Sequence, residues 1–105
     1  MGWLLVVIAG IFEVGFTTAM KASDGFTRPV PTVLFFLSAG ISFFLLTRAI
    51  EHLPLGTAYA VWTGIGAIGT VAVGILLYGE PAGLGRMFFL GLLIFSILGL
   101  KFVSN

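Results

Sequence analysis

Cysteine is absent from this chain, which excludes disulfides, a thiolate nucleophile and any cysteine-ligated metal or cluster. Charge is scarce too. Asp, Glu, Lys and Arg together make up 9% of the 105 residues, against about 25% in an ordinary soluble domain. The net charge of +1 is too small to recruit nucleic acid or an anionic surface. The single histidine, His52, has no second His or Cys nearby, so no metal is expected. No nucleophile–base pair stands out. Gly64-x-Gly66-x-x-Gly69 matches the dinucleotide fingerprint only as letters, because it follows no strand and lies inside an apolar segment. Enzymatic chemistry and cofactors are therefore not expected.

What the chain has instead is apolar surface: 59% hydrophobic residues and a mean hydropathy of +1.19. A soluble domain of this length has no interior large enough to hide that much. The composition predicts an all-α integral membrane protein. Four apolar segments, roughly 3–20, 31–50, 55–78 and 87–103, are each long enough at about 1.5 Å per residue to cross most of a bilayer's hydrocarbon. Their hydrophobicity is continuous rather than alternating, which favours helices over barrel strands. Short polar breaks separate them, so neighbours run antiparallel and 1–105 reads as one transmembrane four-helix bundle. Pro31 suits a first helical turn. The N-terminus lacks the basic n-region of a signal peptide, so the first segment is expected to remain in the mature protein.

The basic residues give little orientation. Arg48 and Lys101 fall on the side of the termini, and Lys21, Arg28 and Arg86 fall opposite. So small a bias fits either one fixed topology or dual insertion, with copies upside down relative to each other.

Against this background one residue stands out. Glu13 is the only ionisable side chain between Met1 and Met20, midway along the first segment. An unpaired ionised acid costs several kcal/mol in such surroundings, and an intramembrane acid marks a functional site by default. The competing reading is a carboxyl that ties two helices together. At helical spacing Gly10 precedes Glu13 on its face, and Phe16 and Thr17 follow it. Ser42 is the only polar side chain between Ser38 and Thr47 and is a candidate partner for the carboxylate. A serine of this kind also commonly bonds its own backbone one turn back. Tyr59, Trp62 and Thr63 share a face of the third segment, where the two rings suit an organic cation or plain core packing. Gly64 and Gly66 mark a bend or a close helix contact. Gly91, Ser96 and Gly99 suit helix–helix contact.

These pieces together resemble the small multidrug resistance family of proton-coupled exporters over nearly the whole chain. The resemblance rests on Glu13 with Gly10, the loop Lys21-x-Ser23-Asp24-Gly25-Phe26-Thr27-Arg28, Ser42-Phe43, and the run Pro54-Leu55-Gly56-Thr57-Ala58-Tyr59-Ala60-Val61-Trp62-Thr63-Gly64-Ile65-Gly66. It implies an antiparallel dimer, or a paralogous heterodimer, in the inner membrane of a prokaryote. In it two Glu13 carboxylates would face one cavity, open to one side at a time. Glu13 would bind proton and substrate, with Ser42, Tyr59 and Trp62 around it; Gly64 and Gly66 would bend the third helix, and the fourth would carry the dimer contact. Trp62-Thr63-Gly64-Ile65-Gly66 and Gly99-Leu100-Lys101 resemble the guanidinium exporters. Gly15-x-Thr17-Thr18-x-Met20-Lys21 resembles the quaternary-ammonium exporters, and Phe16 stands where the former usually carry tryptophan. Other classes left open from the residues themselves are a non-transporting membrane assembly subunit with Glu13 as interhelical glue, and a passive channel.

Overall fold

The computed structural model describes residues 1–104 as four helices: α1 (Gly2–Ala22), α2 (Pro29–Ala49), α3 (Leu55–Tyr78) and α4 (Leu84–Ser104). Among the described residues there is no strand. At about 1.5 Å per residue the 21 residues of α1 and the 24 of α3 reach about 32 and 36 Å, enough to span the hydrocarbon with some tilt. α2 begins at Pro29 rather than Pro31, because Pro29 takes the first helical position, where a missing N–H costs nothing. α4 begins three residues before Met87. Arg86 lies in its first turn, where its guanidinium donates to the carbonyl of Pro81 at 3.0 Å and to Glu80 Oε1 at 2.8 Å. α3 stays helical through Gly64 and Gly66.

The connections end the helices by local chemistry. Ser23 donates its hydroxyl proton to the Met20 carbonyl at 2.7 Å and accepts the Phe26 N–H at 3.0 Å. Its own carbonyl takes the N–H groups of Thr27 and Arg28. This turn drives Asp24, Gly25 and Phe26 into left-handed backbone, with φ of 49°, 73° and 66°. Such a conformation is costly for Phe26, and its ring packs on Phe35 of α2 with centroids 5.1 Å apart. Gly79, at φ 67°, ends α3 as only a residue without a Cβ does cheaply, and the Glu80 N–H closes on the Gly74 carbonyl at 3.0 Å.

Packing follows small residues. α1 lies between α2 and α3, and α4 lies along α3 alone by backbone proximity. The buried core is Val6, Ala9, Ala49, Ala58, Val61 and Trp62, all but the last Ala or Val, which lets the helix backbones approach closely. Gly10 admits Ile65, whose Cγ2 would lie 2.6 Å from a Cβ added there. Leu93, Ile97 and Leu100 turn α4 toward α3, with Ile97 Cδ1 2.6 Å from where a Cβ would stand on Gly64. Cation–π contacts hold both ends: Lys21 Nζ lies 5.7 Å from the Tyr78 ring centroid and Lys101 Nζ 5.5 Å from that of Trp3.

The bundle is a slab measuring 42 × 35 × 16 Å. With helices packing about 8–10 Å apart, that thickness leaves no room for a layer over the apolar faces. Large side chains such as Leu76, Phe95 and Phe102 are accordingly exposed, a surface suited to lipid and to a further protein face. All four helices are long and apolar enough to cross a membrane.

Candidate functional site

The site starts from the pairing of α1 with α3. Glu13 lies in the middle of α1 and its carboxyl rests directly on Gly66 of α3, where a Cβ would overlap both carboxyl oxygens. Glu13 Oε1 is fully buried and has no hydrogen-bond partner among the described residues. A buried oxygen in that condition is the exception in folded proteins and calls for an explanation. No other Asp, Glu, Lys, Arg or His lies away from the ends of the four helices.

Beside it, three helices are joined through one hydroxyl. Ser42 Oγ, on α2 and fully buried, donates to the Ala9 carbonyl of α1 at 2.7 Å and accepts the Trp62 indole N–H from α3 at 2.9 Å. Ser42 therefore bonds neither Glu13 nor its own helix in this structure. It fixes the indole instead. The Trp62 ring neighbours Tyr59 at 5.9 Å and Phe43 at 5.6 Å between centroids. Phe16 continues the row, 5.9 Å from Phe43 and 5.8 Å from Phe35. The result is an aromatic wall running across α3, α2 and α1.

One turn beyond Glu13 and Gly66, about 5.4 Å along each helix, stand Thr17 and Thr70. Their hydroxyls lie 2.7 Å apart. Thr17 donates to the Val14 carbonyl at 3.1 Å, so Thr70 is the donor of the pair. Beyond them a cavity of about 110 Å³ opens between α1 and α3 toward Lys21, Tyr78 and Glu80. Gly10 lies one turn before Glu13 and is covered by Ile65.

The wall has one side only. Tyr59 is 57% exposed and Phe43 50% exposed, and Thr63 is exposed on the same helix as Tyr59. A single chain thus presents the carboxyl and its aromatic neighbours without enclosing them. Gly64 and Gly66 point to opposite flanks of α3, the first into α4 and the second onto Glu13. Gly91, Ser96 and Gly99 are exposed on α4, and the Ser96 hydroxyl turns back to the Leu92 carbonyl at 2.8 Å.

Thr70, Phe35 and the Ala9 carbonyl did not stand out in the sequence. Thr70 had a signal, since Gly66→Thr70 on α3 mirrors Glu13→Thr17 on α1 at the same four-residue step. The Ala9 carbonyl had none.

A profile of the Small Multidrug Resistance protein family matches residues 1–93. The chain belongs to the small multidrug resistance family. A guanidinium exporter of Yersinia pseudotuberculosis serotype I is 49% identical over 104 residues, covering 99% of this chain and all of the relative. The guanidinium exporter of Salmonella typhimurium (strain LT2) is 46% identical over 105 residues, the full length of both, and that of Proteus vulgaris 40% identical over 104. With four membrane-spanning helices and bacterial relatives, this family member is a multi-pass protein of the prokaryotic inner membrane.

Proposed function

We propose that this protein exports small organic cations, guanidinium among them, in exchange for protons, with Glu13 binding either ligand in turn. The observation that carries the reading is the buried, unpartnered oxygen of Glu13 beside a row of aromatic rings. The names of the full-length relatives support guanidinium as a substrate.

The chemistry follows from charge. With its proton, the carboxyl is neutral and tolerable in apolar surroundings; without it, the carboxylate needs a counter-charge. A guanidinium supplies one and fits a carboxylate through two parallel N–H bonds. Proton and cation each remove the need for the other, so they compete. If only loaded states switch sides, an inward proton gradient drives the cation out. Ser42 holds the Trp62 indole so that its face, with Tyr59, flanks the cation.

Because one chain leaves this wall open, the working unit is an antiparallel homodimer, or a paralogous heterodimer, with both Glu13 groups facing a shared cavity. The exposed α4 face bearing Gly91, Ser96 and Gly99 serves as the contact, and Gly64 and Gly66 give α3 the freedom to bend between the two access states.

A second substrate class is favoured by one feature. Phe16 offers a ring but no N–H donor, and it sits against Phe35 and Phe43. A site held more by ring faces than by donors suits quaternary ammonium ions, which take no hydrogen bond.

The test is purified protein in liposomes with an imposed proton gradient. Wild type moves guanidinium against its gradient and Glu13→Gln does not, while the variant remains assembled in detergent. Coupled transport by Glu13→Gln would refute the assignment.

A further inference from the structure

The face of α1 turned away from Glu13 carries a second feature. At 100° per residue, Ile11, Gly15 and Ala22 lie on the opposite side of α1 from Glu13. Together with Pro31, Leu34 and Ser38 of α2 they line an apolar groove of about 520 Å³. Leu34 also borders a second groove of about 250 Å³, lined otherwise by Pro29, Val30 and Val33. Two furrows thus run on either side of one exposed leucine, in the half of the span nearest the α1–α2 loop.

At the mouth of the second furrow the chain changes character. Arg28 immediately precedes Pro29 and makes no ion pair among the described residues, whereas Arg48 and Arg86 are both engaged by glutamates. An unpaired cation at headgroup level and a split apolar bed below it match the parts of one molecule: a phosphate and two acyl chains.

We propose that this face binds one anionic phospholipid, its tails straddling Leu34 and its phosphate held by Arg28. A second copy of the chain is the less suited occupant, because the open aromatic side of the site, with Phe43 and Tyr59 exposed, faces the other way. The inference does not depend on which ion is transported.

The protein is purified in mild detergent with equal amounts of phosphatidylglycerol and phosphatidylcholine bearing the same tails, and retained lipid is read by native mass spectrometry. Wild type keeps phosphatidylglycerol preferentially. Arg28→Gln lowers that retention about fivefold, the effect of one basic side chain at an anionic lipid headgroup. Lys101→Gln, at the other end of the bundle, leaves it unchanged. Val33→Trp, which fills the narrower furrow from an exposed position, lowers retention of both lipids with helical content intact. Equal retention of the two lipids by wild type, equal effects of Arg28→Gln and Lys101→Gln, or no loss on Val33→Trp would overturn the proposal. So would a lipid-free dimer in which the two furrows are covered by a second copy.

Discussion

The carboxyl of Glu13 lies against the bare backbone of Gly66, one helix's acid filling the space that a side chain on the next would need. Neither residue explains the other alone. The glycine lets an acid approach the centre of a neighbouring helix, and the acid leaves an oxygen there without a protein partner.

Gly66→Ala tests that fit. The added methyl overlaps the carboxyl and moves it off α3, so proton-coupled uptake into liposomes should fall at least tenfold, a rise of about 1.4 kcal/mol in the transport barrier. Gly64→Ala meets instead the tip of Ile97, a flexible side chain, at 2.6 Å. Its effect on uptake should be clearly smaller. A reversed order would contradict the placement of the two glycines.

Ser42→Ala removes the hydroxyl that joins Ala9 and Trp62 and leaves the indole N–H buried without an acceptor. Loss of about 1 kcal/mol of stability is expected, the usual scale for one interhelical polar contact in a membrane. In a Trp3→Phe background, where Trp62 is the only indole, its fluorescence should also shift and broaden. An unchanged spectrum and unchanged denaturation would remove Ser42 from that role.

Phe16→Trp adds an N–H donor to the aromatic row between Phe35 and Phe43. The ratio of guanidinium to tetramethylammonium uptake rates should rise. An equal ratio in the two proteins would mean that the ring at this position does not set substrate preference.

Element type was legible from hydrophobicity alone, because four apolar runs of spanning length admit few alternatives. The ends were less so. Pro29 and Pro31 offer the same first-turn chemistry, and only the turn around Ser23 decides that α2 starts at Pro29. Arg86 lay just outside the fourth apolar segment, 87–103, yet with its bonds to Pro81 and Glu80 it enters the first turn of α4. Within the site, spacing along one helix was readable and rotation between helices was not. Glu13, Phe16 and Thr17 follow from a periodicity, whereas the bond from Ser42 to Ala9 depends on how α2 rolls against α1. Gly64 and Gly66 read as a single feature in the sequence. Two residues apart on a helix they point about 200° from each other, so one meets α4 and the other Glu13.

The central claim is that a proton and an organic cation contend for the same carboxyl. Its most direct measurement is proton release from detergent-purified protein in weakly buffered solution when guanidinium is added. Wild type should release protons in a saturable way near neutral pH, and Glu13→Gln should release none. Guanidinium binding by wild type without proton release, or equal release from the variant, would contradict it.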